Sequence, residues 1–162
     1  MSHTYSRDKA GSLSYLIYED SAPYDPWLKI ILGSTLALTL VMGIVFLPFD
    51  VAGAYVMFGV TLFDALLFNA ILPRRYQIYQ DRLRIVLGKP FAVNIPFSTI
   101  KEVRPASGSK TFAYGGIRLA TSSSSVVEIV RTKGLNVAVS PANRDAFLEQ
   151  LTQALQAMPN SK

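Results

Sequence analysis

Asp64 is the one charge in the run "VAGAYVMFGVTLFDALLFNAIL", Val51 to Leu72, and its setting is the strongest invitation to chemistry in the chain. A carboxylate held in hydrocarbon is costly, so an acid there handles protons or ions, or else hydrogen-bonds a neighbouring helix. Folding the chain about residues 49 and 50 brings Asp64 opposite Thr35, with Ser34 and Thr39 near it. The expected role is therefore an intramembrane polar contact made by Asp64, Thr35 and Thr39. Two helices with no second acid and no basic partner make a poor conduction path. Gluing helices together, or gluing two copies of the hairpin, fits better. Gly33 and Ala37 add a small-xxx-small pair that permits close helix approach.

The other chemistry-bearing residues form no constellation. His3 is the only histidine and lies in a terminal tail, so a serine–histidine–acid set is excluded. There is no cysteine, which removes disulfides, thiolate metal sites and cysteine nucleophiles together. Asp145 and Glu149 fall four apart on the solvent stripe of a helix, and "TSSSS" (121 to 125) reads as a polar turn. Gly115–Gly116 is followed by neither the lysine nor the helix start of a phosphate loop. Metal-ligand spacings are absent, and the strand aromatics fall on the core face rather than forming base-stacking platforms. The expectation is a protein that is not an enzyme, carries no cofactor and binds no nucleic acid.

The elements that hold these residues are membrane-like at first. Half of the 162 residues are hydrophobic and only 17% charged, with a mean hydropathy of +0.28, which is greasy for a soluble domain. Ile30 to Leu47 carries no charge and, as a helix, covers about 27 Å, close to a hydrocarbon core. Asp25 is placed to cap its first amides, Pro26 suits the first turn and Trp27 the lipid–water boundary. The run is too long and starts too late for a secretory signal. "PFD" (48 to 50) breaks it before the second run begins. Lys29, Arg74, Arg75, Arg82 and Arg84 all flank the same side, while the tip has no Lys or Arg. A cell-membrane protein with two spans, about 28–47 and 51–72, and both termini cytoplasmic is expected.

Beyond Arg75 the grammar changes to alternation. Tyr76 and Ile78 share a face, and so do Leu83, Ile85 and Leu87 after a turn at Gln80–Asp81. "FAVNI", a segment from Val103, "IRLAT", "VVEIVRT" and "LNVAVS" supply further strands, with a loop over 107–116. Ser140 and Pro141 read as the start of a helix over 142–157, whose Phe147, Leu148, Leu151 and Leu155 recur on one face. The fold class is thus α+β: a transmembrane helical hairpin (28–72) after an N-terminal cytoplasmic segment (1–27), then a domain over 73–162. That domain is a small antiparallel barrel or bent sheet of about seven strands capped by a C-terminal helix. "SLSYLIY" (12 to 18) fits either a strand on the sheet edge or an amphipathic surface segment.

The segment Tyr76 to Gly88 has the form Y-x-I-x-x-D-x-L-x-I-x-x-G. Together with "IPFSTIKEV" (95 to 103) and "SPANRDAFLEQL" (140 to 151), it resembles bacterial pleckstrin-homology-like (PH-like) domains. Many of these follow a pair of transmembrane helices, as here. The resemblance implies a seven-stranded fold with a closing helix, no enzymatic activity, and binding or scaffolding at membranes.

Charge refines the expected partners. Residues 1–72 carry three basic against six acidic side chains, net −3, whereas 73–162 carry thirteen against five, net +8. Arg74, Arg75, Arg82 and Arg84 are the expected basic residues at the membrane surface, meeting anionic lipid non-specifically. The tight Gln80–Asp81 turn is too short to cradle a specific headgroup. The expected function is an interaction or scaffold domain held at the cytoplasmic face, with a protein partner or anionic lipid surface. The alternative is an assembly factor or accessory subunit that uses the hairpin and Asp64 as its contact surface. A homo-oligomer is compatible with either.

Overall fold

The computed structural model describes residues 5–7, 13–106 and 116–157. Strands β1 (Tyr5–Arg7) and β2 (Leu13–Ser21) precede helices α1 (Pro26–Phe46) and α2 (Val51–Ile71). Strands β3 (Arg75–Tyr79), β4 (Arg82–Val86) and β5 (Ala92–Pro96) follow, then a 3-10 turn at Phe97–Thr99. Strands β6 (Ile100–Pro105), β7 (Ile117–Leu119), β8 (Val127–Arg131) and β9 (Val137–Val139) lead to helix α3 (Arg144–Gln156). The loop 107–116 expected from composition lies outside the described residues, apart from Gly116.

α1 and α2 are both long and apolar enough to cross a membrane, with mean hydropathies of 2.1 and 1.9. They run side by side, and few of their residues are buried inside protein. Near the tip, Gly43 lies under the Phe58 ring; a Cβ there would come within 2.6 Å of it. Further along, the Thr39 and Thr61 hydroxyls meet at 2.9 Å.

The sheet domain departs in strand number and sheet count from the small antiparallel barrel or bent sheet of about seven strands expected. It has two sheets, ordered β1-β2-β3-β4-β5 and β6-β8-β9-β7, making nine strands among the described residues. Seven of them follow the hairpin, as the alternation predicts. The other two come from the N-terminal segment, where β2 pairs antiparallel with β3 along Leu16↔Tyr79 to Ser21↔Arg75. Leu13 to Tyr18 of "SLSYLIY" thus lie in a sheet strand, and Ser12 lies outside the described residues. β7 also breaks the antiparallel expectation, because it runs parallel to β9.

Alternation builds one shared core. Tyr76 and Ile78 of β3, Leu83 and Ile85 of β4, and Ile95 of β5 meet Val127, Ile129, Val137 and Val139 from the second sheet. Phe147, Leu151 and Ala154 of α3 seal it. The Phe147 ring meets Tyr76 edge to face at 6.1 Å, a favoured aromatic geometry. The helix starts later than expected: Asn143, not Ser140, is its N-cap, accepting the Ala146 amide at 3.2 Å. Ser140 is fully buried and used elsewhere.

Candidate functional site at the hairpin–domain joint

Four stretches of chain converge where the helices meet the sheets: the entry to α1 (22–27), the exit from α2 (69–74), the β4–β5 turn and the turn after β7. Backbone bonds tie entry to exit, with the Ala22 amide donating to the Arg74 carbonyl at 3.0 Å and the Arg74 amide to Val86 at 2.8 Å. The Tyr24 hydroxyl donates to the Pro73 carbonyl at 2.7 Å. Burial of this hydroxyl raises its pKa, so it remains the donor.

Asp25 organises the entry. Its backbone sits at the N-cap of α1, but the carboxylate caps no amide of that helix, contrary to the sequence expectation. It turns instead to the serine turn. Ser122 Oγ donates to Oδ1 at 2.7 Å, and the Ser123 amide and hydroxyl both donate to Oδ2 at 2.8 Å. Trp27 Nε1 adds a fourth bond at 3.1 Å. The Ser122 and Ser123 hydroxyls, by bonding the ionised form, hold the Asp25 carboxyl down at about 2. The backbone follows the same path: the Asp25 amide donates to the Thr121 carbonyl at 3.0 Å and Thr121 Oγ1 to the Pro23 carbonyl at 2.7 Å.

The serine turn is itself held from the core. Ser140 Oγ accepts the amides of Thr121 and Ser122 at 2.9 and 3.1 Å. The Ser140 amide donates to the Tyr76 hydroxyl at 3.2 Å, and that hydroxyl donates to the Leu119 carbonyl at 2.8 Å. A continuous polar chain therefore runs from the core through Ser140 and the serine turn to the first turn of α1. On the exit side, Gly88 touches the end of α2 so closely that a Cβ there would overlap the Asn69 carbonyl oxygen, at 1.5 Å. Only glycine fits that approach.

The expected site residues are dispersed around this joint. Arg74 is exposed and bonds Asn69 Oδ1 at the end of α2. Arg75 is exposed and pairs with Glu19 of β2 at 2.9 Å, a solvated contact of small energy. Arg82 is not a surface residue. It is 6% exposed, donates to Ser14 Oγ at 3.1 Å and lies over the Tyr79 ring at 5.3 Å. Burial, with the Arg84 charge nearby, lowers its pKa. Arg84 is half-buried between Gln77 and Asn94 on the neighbouring strands.

In the hairpin, no side-chain hydrogen bond joins Asp64 to Thr35. The Thr35 hydroxyl bonds back to Ile31 of its own helix at 2.9 Å, and the cross-helix contact belongs to Thr39 and Thr61. Asp64 is half-buried. Residues Asp25, Ser122, Ser123 and Ser140 were missed as a set, because the serine run carries only the composition of a turn. No group of residues suited to hold a metal occurs among those described.

With this geometry in place, comparison with known families is decisive. A family model described as "Bacterial PH domain" matches residues 74–154, half of the chain. The chain belongs to the bacterial PH domain family. No curated protein and no solved structure matches it. The matched residues begin at Arg74, so β2 and Asp25 lie outside the matched stretch, whereas Ser122, Ser123 and Ser140 lie inside it. β2 and Asp25 are additions that bind this PH domain to the two helices in front of it.

Proposed function

We propose that this chain is a membrane-anchored PH-like module with α1 and α2 spanning the bilayer and both termini cytoplasmic. The PH domain then sits at the inner face as a non-enzymatic interaction or scaffold domain for a protein partner or an anionic lipid surface. The observation that carries the reading is the joint. Two membrane-length apolar helices, few of whose residues are buried inside protein, are fixed to a PH domain at both chain crossings, through Asp25 and through Arg74. A tether of this kind restricts the orientation of the domain, which suits presenting one face to a partner at the membrane. The basic excess after residue 73 supports attraction to an anionic leaflet, by about 1 kcal/mol per well-placed side chain.

A second reading, assembly factor or accessory subunit of a larger membrane complex, is favoured by Asp64. No hydrogen bond or ion pair joins its carboxyl group to another described residue, and an acid in hydrocarbon gains from a partner supplied by another chain. Affinity capture from membranes with the intact chain, Asp64→Leu and a domain-surface variant such as Lys101→Glu separates the two. Loss of partner with Asp64→Leu alone favours the accessory subunit. Loss with Lys101→Glu alone favours the scaffold.

A further inference from the structure

At the joint a cleft of about 400 Å³ opens between Trp27 and Leu28 of α1, Ile71 and Leu72 at the end of α2, and residues 118–121. A second, open cleft of about 360 Å³ shares Ile71 and Leu119 with it and is lined also by Ala70, Leu87 and Phe91. The second wall is wholly apolar, and in the first the only charged residue is Arg118. Trp27, Ile71 and Phe91 are all about half exposed. Phe91 belongs to neither helix, yet it lies in the wall with Ile71.

We propose that this double cleft binds one anionic phospholipid of the cytoplasmic leaflet, with an acyl chain against Ile71, Leu87 and Leu119 and its phosphate at Arg118. The inference rests on the spanning reading above, which puts the ends of α1 and α2 at the boundary between acyl chains and headgroups. Location, wall chemistry and charge then agree. The groove begins on the lipid-facing surface of the spans, so a neighbouring lipid reaches it without crossing water. A long apolar wall ending in one arginine matches an acyl chain ending in a phosphate. Lys29, Arg74 and Lys89 add exposed positive charge on the adjoining segments. The acid of the joint, Asp25, has its carboxylate occupied by serine, amide and indole donors. This site is separate from the tight Gln80–Asp81 turn, which has no room for a headgroup.

Trp27 is the only tryptophan in the chain and stands in the cleft wall, so its fluorescence reports occupancy. The intact protein is placed in nanodiscs of phosphatidylcholine holding a minor fraction of phosphatidylglycerol, with bromine on the acyl chains of one lipid at a time. Brominated phosphatidylglycerol should quench Trp27 well beyond its share of the bilayer. Arg118→Gln should cut that preference about fivefold, the factor equivalent to about 1 kcal/mol for one basic side chain at an anionic surface. Arg118→Lys should keep it, as should Lys133→Gln in the β8–β9 turn. Quenching by both lipids in proportion to their mole fractions would overturn the lipid site and leave the anchor standing. A preference untouched by Arg118→Gln, or lowered equally by Lys133→Gln, would overturn it too. No quenching by either brominated lipid would remove the spans from the bilayer, and the site with them.

Discussion

Ser123 grips Asp25 from 98 positions away, delivering its amide and its hydroxyl to the same carboxylate oxygen at 2.8 Å each. The contact joins the last residue before α1 to a turn of the second sheet, so the orientation of the first helix depends on the folding of the PH domain.

This clasp gives a pH signature. The Asp25 carboxyl falls from 3.8 to about 2 on folding, so the folded state binds its proton less readily than the unfolded state. Its stabilisation is complete above the unfolded value and is lost as pH falls through about 2. Thermal melts in detergent between pH 6 and pH 2 should show the intact chain losing an increment of stability that Asp25→Asn lacks. Ser123→Ala should cost about 0.5–1.5 kcal/mol at pH 7. Parallel pH profiles for the intact chain and Asp25→Asn would speak against the clasp.

Gly88→Ala attacks the joint from the exit side. The added methyl overlaps the Asn69 carbonyl, a backbone atom that cannot swing aside, so β4–β5 and α2 must separate. A loss of about 1–3 kcal/mol is expected, the usual cost of overpacking. Faster proteolysis at the joint should accompany it. Wild-type melting and cleavage would show that the approach is looser than described.

Removing β2 should do more than trim an edge. By alternation alone, residues 74–162 are expected to fold without the anchor. The pairing of β2 with β3 and the place of Ala22 in the core change that expectation. A 74–162 fragment should expose the edge of β3 and aggregate, while a version carrying residues 13–25 in place of the helices should be soluble. Equal solubility and equal melts for the two would make β2 dispensable.

Much of this fold is legible because burial imposes a period. Tyr76, Ile78, Leu83 and Ile85 alternate because one sheet face meets one core, and the membrane-length runs need no partner to be recognised. β2 is harder, since a register shift between Leu16 and Tyr18 breaks its alternation. Its pairing is also what places Ser14 against Arg82, so that burial had no local cue. The site was the least legible part. Asp25 has the right position for a helix cap, and only the tertiary approach of Ser122 and Ser123 diverts it. Ser140 likewise reads as a cap until Thr121 and Ser122 bring it two amides.

Asp64 separates contact within the hairpin from contact between chains. Thr39 and Thr61 already join α1 to α2, so Asp64→Leu should leave the hairpin packed and weaken association with another chain by about 0.6–2 kcal/mol. Asp64→Asn, which keeps hydrogen-bonding capacity, should leave assembly nearly intact. Detergent stability and cross-linking of the two variants read this directly. Equal, severe loss in both, with pH-dependent flux in liposomes, would point to proton or ion transport.

Topology carries the anchor reading, and single cysteines test it cleanly because the chain has none of its own. Asp50→Cys, at the hairpin tip, and Ser161→Cys, beyond α3, are each treated on intact cells with a membrane-impermeant thiol reagent. The cysteine at position 50 should react at once, and that at 161 only after the membrane is opened. Labelling at 161 but not at 50 in intact cells would invert the topology and contradict a PH domain held at the cytoplasmic face.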